Sequence, residues 1–375
     1  MPIRYFATNR DRENLGRDID RQRRIKLQKG GYHWLDMYHY MSHYLATTDT
    51  TTMPPEVIIP DSEATVFTPF LSRPAVKRII VAVHGFNVHL HEALTSFSIL
   101  ADTLEHTKTL GPTIITDPTT PKSAARLNDP NGNVTAFVGF SWPSNGSALD
   151  YGGDRTEAVS SATAFANLIG CLRLQSPNAK IHVIAHSMGN FLTCNMLQKL
   201  VNQEITPLDA NDEVKREIAR RDDGGANSFF IDRYILVAPD VERRHITQCN
   251  ANGSANSKAS YLGPFYGGLY HLVEESHHFY SRFDSALKMS KIEKQAIRKV
   301  VVGVKDTLTR NTSIEAQQAN LWEDSLGLNP IPSVAPPNMH SHNSVTLTNR
   351  EIDHCDYFDA LPVAEKMAEI IMSAG

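Results

Sequence analysis

The sequence predicts an α/β protein built on a mostly parallel, doubly wound sheet with helices on both faces. Short apolar runs typical of strands alternate along the chain with segments in which apolar residues recur every three or four positions. The strand-like runs are continuously apolar, which is typical of parallel strands buried on both faces. Apolar residues make up 41% of the chain and charged residues 21%, a composition that indicates a globular protein.

Apolar runs rich in valine, isoleucine and alanine mark the predicted strands. Most of them end at a histidine–glycine pair, a proline or an aspartate, residues that suit the turn after a strand. The predicted strands are Arg78–Phe86, Asn133–Pro143, Lys180–Ser187, Asp232–Asp240, Ser276–Asp284 and Asn343–His354.

Apolar residues at spacings of three and four predict helices between these strands. In the first predicted helix, Ala158, Ala162 and Phe165 form one apolar stripe that faces a core. Asp150 and Asp154 stand at its start, where the helix dipole favours negative charge. The predicted helices are Arg155–Gln175, Gly189–Val201 and Pro362–Ala374.

We expect a single domain over residues 1–375, because this length is ordinary for one large α/β domain with insertions. Three segments interrupt the alternation of strands and helices. Residues 11–60 are predicted to form an N-terminal helical and aromatic extension. Residues 206–230 and 305–343 are predicted to be insertions or lid segments, since loops of this length usually have such roles.

Net charge and composition argue against several classes of partner. The formal net charge is −4, so the chain has no basic surplus for nucleic acid or an anionic membrane. No window reaches the ~18 apolar residues of a membrane span, and the N-terminus lacks the apolar core of a signal peptide. Cys171, Cys194, Cys249 and Cys355 include no CxxC pair, and the first two are predicted to be buried free thiols. We therefore expect a cytoplasmic protein without a cofactor.

Two histidines in the N-terminal extension have the spacing of zinc ligands on a helix. His39 and His43 lie at i and i+4 in the aromatic segment YHWLDMYHYMSHY. No glutamate lies between them, and the aromatic residues favour an amphipathic cap that packs on the domain or walls the entrance of a site. Aromatic residues also stack on bases, but this segment has no basic stripe. We expect neither a metal nor nucleic acid here.

The segment VIAHSMGNF places Ser187 between a predicted strand and a predicted helix. A turn this sharp needs small neighbours, and Ala185 and Gly189 stand two positions before and after the serine. This is the nucleophile-elbow pattern G-x-S-x-G with alanine in the first place. The turn would raise the hydroxyl above the sheet and bring the N–H groups of the helix start beside an oxyanion. The alternative is a serine that only caps the helix.

A nucleophilic serine requires a histidine base and an acid that orients it, and with this motif the chain order is serine, acid, histidine. Asp284 ends one predicted strand, and His354 follows the last one. Asp240, one strand earlier, is the rival acid. His340 and His342 lie close to His354 in sequence, but His354 leads into the final helix and is preferred as the base.

The loop after the first predicted strand supplies candidate oxyanion donors. His84 and Gly85 end that strand in the segment VAVHGFNVH, and the glycine permits a close backbone approach. The backbone N–H of Phe86 is one candidate donor, and that of Met188 is the other. The alternative is a simple turn that ends the strand. Candidate pocket residues are His84, Gly85, Asn87 and His186, the last of which either lines the pocket or packs beneath it.

Several segments together resemble the α/β-hydrolase family long catalogued as a domain of unknown function, which is close to the serine esterases. They are RYFATNRDRE, RIIVAVHGFN, GFSWPSNGSALDYGGDR, VIAHSMGN, YILVAPDV and FYSRFDSALKMS. The resemblance implies the α/β-hydrolase fold with cap or lid insertions, a triad of Ser187, Asp284 and His354, and acyl transfer to water. In that family the FSWPS segment ends the strand after the oxyanion loop, so Ser141 and Trp142 become candidate pocket-lining residues.

These features predict a serine carboxylic-ester hydrolase that forms an acyl-enzyme on a small-molecule ester. No dominant apolar lid helix is visible in the sequence, so small or medium acyl groups are expected rather than long-chain fats. The same triad would serve an amidase, a thioesterase or an acyltransferase, because the pocket and the insertions decide between these activities. A non-catalytic binding protein on a hydrolase-like fold is the remaining alternative.

Overall fold

The computed structural model describes residues 3–10, 31–37, 70–144, 151–205, 230–250, 260–290 and 325–374. His39 and His43 lie outside the described residues, as do residues 206–229 and 305–324 of the two predicted insertions. The elements in chain order are β1 (Tyr5–Thr8), β2 (His33–Asp36), β3 (Val76–Val83), α1 (Leu90–Glu105), β4 (Ile114–Ile115), α2 (Pro121–Leu127), β5 (Val134–Ser141), α3 (Tyr151–Gln175), β6 (Lys180–His186), α4 (Met188–Val201), β7 (Ile231–Val237), β8 (Gln248–Asn250), β9 (Ser260–Leu262), α5 (Tyr266–Leu272), β10 (Val273–Tyr280), β11 (Met339–Asn343), α6 (Ser344–Thr348) and α7 (Leu361–Met372).

In the described part of the chain, a nine-stranded sheet forms the centre of the fold. Its strands run in the order β11-β10-β7-β6-β3-β5-β1-β2, and β4 pairs with β5 off this path. All neighbouring pairs are parallel except β1 and β2. The predicted α/β class with a mostly parallel sheet is therefore confirmed, and β8 and β9 form a separate antiparallel pair.

Side chains of the central strands enter a hydrophobic core on each face of the sheet. In β3, Ile79 and Val81 join one core together with Phe165 of α3, whereas Ile80 joins the other core together with Phe97 of α1. Successive side chains of a strand point to opposite faces, so a strand covered on both faces is apolar throughout. This covering by helices is the physical reason for the continuous apolar runs in the sequence.

The last strand of the sheet lies earlier in the chain than predicted. The predicted strand Asn343–His354 is wrong, because α6 begins at Ser344 and a turn follows it. The Asn343 side chain accepts a hydrogen bond from the Val345 N–H at 3.1 Å, and this cap favours a helix over the strand that the β-branched residues suggest. Residues 339–343 of the predicted insertion 305–343 form β11 and so belong to the sheet.

Part of the predicted helical extension 11–60 is a strand instead. His33–Asp36 forms β2 and pairs antiparallel with β1, and both Trp34 and Leu35 are buried. Neighbouring side chains that point to opposite faces suit a strand, whereas a helix buries one stripe. The Arg4 Nη2 donates to the Asp36 Oδ2 at 2.9 Å and ties this edge strand to the start of β1.

Three of the four cysteines, Cys171, Cys194 and Cys355, are free thiols in the structure. Cys194 is buried, Cys171 is half-buried and Cys355 is exposed. The predicted free thiols at Cys171 and Cys194 are confirmed, although only the second is fully buried. Across the part of the chain that the structure describes, every helix is too short or too polar to cross a membrane.

Candidate active site

Ser187 occupies a strained turn between β6 and α4. Its backbone has φ 51° and ψ −121°, in the left-handed region that residues other than glycine rarely adopt. The Ser187 N–H donates to the Val237 carbonyl at 3.0 Å, and the Ser187 carbonyl accepts the Asp240 N–H at 3.1 Å. The Asn190 Nδ2 donates to the same carbonyl at 3.1 Å. Hydrogen bonds to the end of β7 and to α4 therefore hold the strained conformation.

Two glycines near Ser187 are required by close contacts with neighbouring atoms. A Cβ atom at Gly189 would collide with the carbonyl oxygen of His84 and lie 2.9 Å from that of Val83. A Cβ atom at Gly85 would lie 2.8 Å from the Cβ of Ser187. Although Ser187 immediately precedes α4, its side chain makes no capping hydrogen bond with that helix. The hydroxyl is therefore not used as the helix cap that the sequence left as an alternative.

His354 and Asp284 meet next to this turn. The His354 Nδ1 lies 2.8 Å from Oδ2 and 3.0 Å from Oδ1 of Asp284, although 70 positions separate the residues. The Asp284 carboxylate is completely buried and also accepts the Leu287 N–H at 2.9 Å. A buried carboxylate fixes the imidazole tautomer that carries its proton on Nδ1. Nε2 of His354 is then the nitrogen that accepts a proton.

Asp240, the rival acid of the sequence, binds hydroxyl groups instead. Its Oδ2 accepts the Tyr151 hydroxyl at 2.6 Å, and its Oδ1 accepts the hydroxyls of Ser290 at 2.9 Å and Ser325 at 3.3 Å. Burial, followed by the negative charge of Asp240, raises the pKa of Tyr151. Of the two candidate carboxylates, Asp284 is the one that hydrogen-bonds to the His354 imidazole.

His186 connects the segment of His354 to the serine turn. The His186 Nε2 lies 2.8 Å from the His354 carbonyl oxygen, and the two ring centroids are 4.6 Å apart. Burial lowers the pKa of His186 to about 3, so this imidazole stays neutral and donates through Nε2. The other two histidines near His354 in sequence lie on β11, where both His340 and His342 stack on His277.

His84 fixes the direction of the Phe86 N–H. The Trp142 N–H donates to the His84 Nε2 at 3.1 Å, so the proton lies on Nδ1, which donates to the Gly85 carbonyl at 2.9 Å. That carbonyl and the Phe86 N–H belong to one planar trans peptide, so fixing one fixes the other. Burial lowers the pKa of His84 to about 3 and keeps it in this neutral form.

The predicted pocket residues divide into exposed and buried groups. Phe86 is half-buried and Asn87 is exposed, whereas His84, Ser141 and Trp142 are fully buried. The Trp142 ring stacks on His84 at 5.3 Å, with an interplanar angle of 8°. Ser141 and Trp142 thus both contact His84 from buried positions, and their role in lining a pocket stays a prediction.

The sequence reasoning missed residues that contact the β3–α1 loop, which comprises Gly85–His89. The structure buries Asp154, predicted only as a helix-start residue, and directs it at this loop. Ser144 and Arg10 contact the loop as well. All three lie in the segments RYFATNRDRE and GFSWPSNGSALDYGGDR, which carry the family resemblance, and that membership was the available signal.

Comparison with known proteins identifies one family and one relative of the chain at the sequence level. Residues 59–350 match the model of a family described as an alpha/beta hydrolase of unknown function (DUF900). An uncharacterized protein of Nostoc sp. (strain PCC 7120) is 56% identical over 375 residues, covering 100% of this chain and 94% of the relative.

Solved structures of a lipase and of esterases resemble the chain at low sequence identity. Aspergillus fumigatus lipase B has a TM-score of 0.39 and 12% identity over 81% of this chain and 54% of the lipase. A Pyrobaculum calidifontis esterase has a TM-score of 0.34 and 11% identity over 80% of this chain and 78% of the esterase. The esterase domain of a Rhodothermus marinus protein has a TM-score of 0.33 and 8% identity over 80% of this chain and 88% of that domain. The chain spans about half the length of the lipase.

Proposed function

Because the chain belongs to the α/β-hydrolase family of unknown function, we propose that it is a serine hydrolase that cleaves carboxylic esters with small or medium acyl groups. Ser187 is the nucleophile, His354 is the general base, and Asp284 orients the imidazole. The observation that carries the proposal is the contact of the His354 Nδ1 with both oxygens of the buried Asp284 carboxylate, at 2.8 and 3.0 Å. No metal or cofactor takes part in the proposed reaction.

In the first half of the reaction, the Ser187 oxygen bonds to the ester carbon while the His354 Nε2 takes the hydroxyl proton. Asp284 stabilises the imidazolium that forms. The oxyanion accepts hydrogen bonds from the N–H groups of Phe86 and Met188, neither of which has another acceptor among the described residues. Collapse of this intermediate breaks the bond to the alcohol, which leaves with the proton from His354.

In the second half, water releases the acid. His354 takes a proton from water as the water oxygen bonds to the acyl carbon, and the bond to Ser187 breaks. The Ser187 oxygen recovers its proton from His354, so the cycle balances without a further reactant. The buried Asp284 carboxylate serves both halves, because the imidazole becomes positively charged in each.

The replacement Ser187→Ala tests the proposal. We expect turnover of a p-nitrophenyl butyrate substrate to fall by about 10⁴-fold or more, because the nucleophile is lost. A fluorophosphonate probe should label the natural protein at Ser187 and leave the variant unlabelled. Ser160→Ala is the matched control, since Ser160 lies on the exposed side of α3 and its hydroxyl donates to the Thr156 carbonyl of the same helix. Equal turnover by the natural protein and Ser187→Ala would refute the proposal.

Matched substrates test the choice of ester over the other acyl compounds. We expect kcat/KM for the butyrate ester to exceed that for the thioester and the amide with the same acyl group. A series of acyl chains should show its maximum at short or medium length. Higher kcat/KM for the amide or thioester would replace the ester assignment, and a protein that the probe does not label would favour the non-catalytic binding protein.

A further inference from the structure

Two buried oxygen-bearing side chains outside the proposed triad bind successive N–H groups of the β3–α1 loop. The Asp154 Oδ2 accepts the Asn87 N–H at 3.3 Å and the Ser144 hydroxyl at 2.7 Å. The Ser144 Oγ in turn accepts the Val88 N–H at 3.2 Å. Both Asp154 and Ser144 are completely buried. A buried carboxylate at this place is costly unless hydrogen bonds satisfy it, and the loop supplies one of those bonds.

The loop is also held through a carbonyl by a buried cation. The Arg10 Nη2 donates to the Val88 carbonyl at 2.8 Å, and its Nε donates to the Ser141 Oγ at 3.0 Å. Arg10 is completely buried. The acidic side chain therefore accepts a loop N–H, that of Asn87, while the basic one donates to a loop carbonyl, that of Val88.

These contacts fix the peptide on one side of Phe86. The Asn87 N–H belongs to the peptide that follows Phe86, and Asp154 accepts a hydrogen bond from it. Asn87 has φ 55°, a left-handed backbone conformation that needs such support. The peptide that precedes Phe86 is fixed by His84 through the Gly85 carbonyl. With both flanking peptides held, the Phe86 N–H has a fixed direction.

We propose that Asp154, acting with Ser144, is a positioning residue that holds the β3–α1 loop so that the Phe86 N–H is directed at the oxyanion. The inference rests on the proposed function, because it assigns a role within the same reaction. Asp154 touches the loop backbone and not the substrate. A preorganised donor stabilises the transition state far more than a donor that must be reoriented during the reaction.

Asp154→Ala is the primary test. We expect kcat for p-nitrophenyl butyrate to fall by about 10- to 100-fold with KM changed by less than about threefold, because the donor is displaced while ground-state binding is retained. A trifluoromethyl ketone with the same acyl chain forms a tetrahedral oxyanion on Ser187. Its inhibition constant should rise by the same factor by which kcat/KM falls.

Asp154→Asn distinguishes positioning from charge. One oxygen of Asp154, Oδ2, accepts the hydrogen bonds from the Asn87 N–H and the Ser144 hydroxyl. An asparagine with its amide oxygen at that place keeps these two bonds. We expect this variant to recover kcat and the inhibition constant to within about threefold of the natural protein. If Asp154 acted through its charge, Asn would be as impaired as Ala, and that result would overturn the proposal.

Ser144→Ala keeps the proposal testable where Asp154→Ala does not fold. It removes the bridge between Asp154 and the Val88 N–H, and kcat and the inhibition constant should change in the same direction as in Asp154→Ala. Ser176→Ala is the matched control, because Ser176 is another buried serine whose hydroxyl bonds to a loop carbonyl, that of Leu71, at 2.6 Å. Its kcat and inhibition constant should equal those of the natural protein.

The outcomes separate this inference from the proposed function. If the natural protein neither turns over the ester nor reacts with the fluorophosphonate probe, the proposed function fails and the positioning role fails with it. If the natural protein does both, and folded Asp154→Ala or Ser144→Ala retains kcat and inhibitor affinity, only the positioning role fails. A loss of kcat without a matching loss of inhibitor affinity would also overturn it.

Discussion

Two buried aspartates follow neighbouring strands of the sheet, and they differ in the chemistry of their hydrogen-bond donors. Asp240, after β7, binds the hydroxyls of Tyr151, Ser290 and Ser325. Asp284, after β10, binds the imidazole of His354. An imidazole exchanges a proton near neutral pH, whereas a buried phenol or an aliphatic hydroxyl keeps its proton. Both carboxylates thus follow the end of a strand. The hydrogen-bond donor, an imidazole or a hydroxyl group, is what distinguishes the candidate catalytic carboxylate from the structural one.

The largest expected effect is the loss of kcat when Asp284 is replaced, and it tests the catalytic role of this carboxylate. We expect Asp284→Asn to lower kcat by about 10³- to 10⁴-fold, because an amide NH₂ that faces Nδ1 favours the tautomer whose Nε2 carries a proton. The measurement is kcat for p-nitrophenyl butyrate at pH 7 to 8, with thermal unfolding to show that the variant is folded. A folded Asp284→Asn protein with kcat within about tenfold of the natural one would remove Asp284 from the proposed triad.

The same substitution at the other carboxylate should mainly affect stability. Asp240→Asn replaces one carboxylate oxygen with an NH₂ group, which cannot accept the hydroxyls that now donate to it. We expect the free energy of unfolding to fall by about 1.5–3 kcal/mol, the range for hydrogen bonds to a charged group, and kcat to change by less than about tenfold. Urea unfolding and ester turnover check these values. If Asp240→Asn lost as much turnover as Asp284→Asn, the distinction between the two aspartates would be wrong.

The smallest expected effect is a change in the pH dependence of stability when His186, which joins the His354 segment to the serine turn, is replaced. Burial lowers the pKa of His186 to about 3 in the folded protein, against about 6.5 in the unfolded chain. Between these values the unfolded chain binds one more proton, so His186 stabilises less and less as the pH falls from 7 to 3. His186→Gln keeps an N–H donor and removes this titration.

We therefore expect His186→Gln to shrink the loss of unfolding free energy between pH 7 and pH 5 by about 2 kcal/mol. Urea unfolding at both pH values gives the number. His84, His182 and His278 also have pKa values lowered to about 3 by burial, but they are present in both proteins and cancel in the difference. An unchanged pH dependence would show that His186 is protonated equally in the folded and unfolded chains.

The central strands and the serine turn could be predicted from the sequence, whereas the edge strands of the sheet could not. Central strands are buried on both faces and so leave continuous apolar runs. The edge strands β2 and β11 are short, with 4 and 5 residues, and most of β11 is exposed or half-buried, so no such run marks it. The Ser187 turn was predictable because local crowding dictates the glycine two positions after it, Gly189.

Contacts between distant segments could not be predicted from the sequence. Chain order permits either Asp240 or Asp284 as the acid, and the choice depends on where the turn that carries His354 lies against the sheet. Asp154 fits the start of α3 by its charge alone, and its contact with Asn87 depends on how α3 meets the β3–α1 loop. The roles of Ser187, Asp284, His354 and Asp154 in the reaction are predictions.

The strained turn at Ser187 also makes the candidate nucleophile dependent on completed folding. Both backbone hydrogen bonds of Ser187 to the end of β7 reach residues about fifty positions later in the chain, Val237 and Asp240. A partly folded chain in which β6 and α4 have formed but β7 has not yet docked lacks the partners that hold φ at 51°. Such an intermediate would relax the turn and lose the geometry needed for attack. Reactivity at Ser187 would thereby be withheld until the sheet is assembled, which limits unwanted acylation of a chain that is still folding.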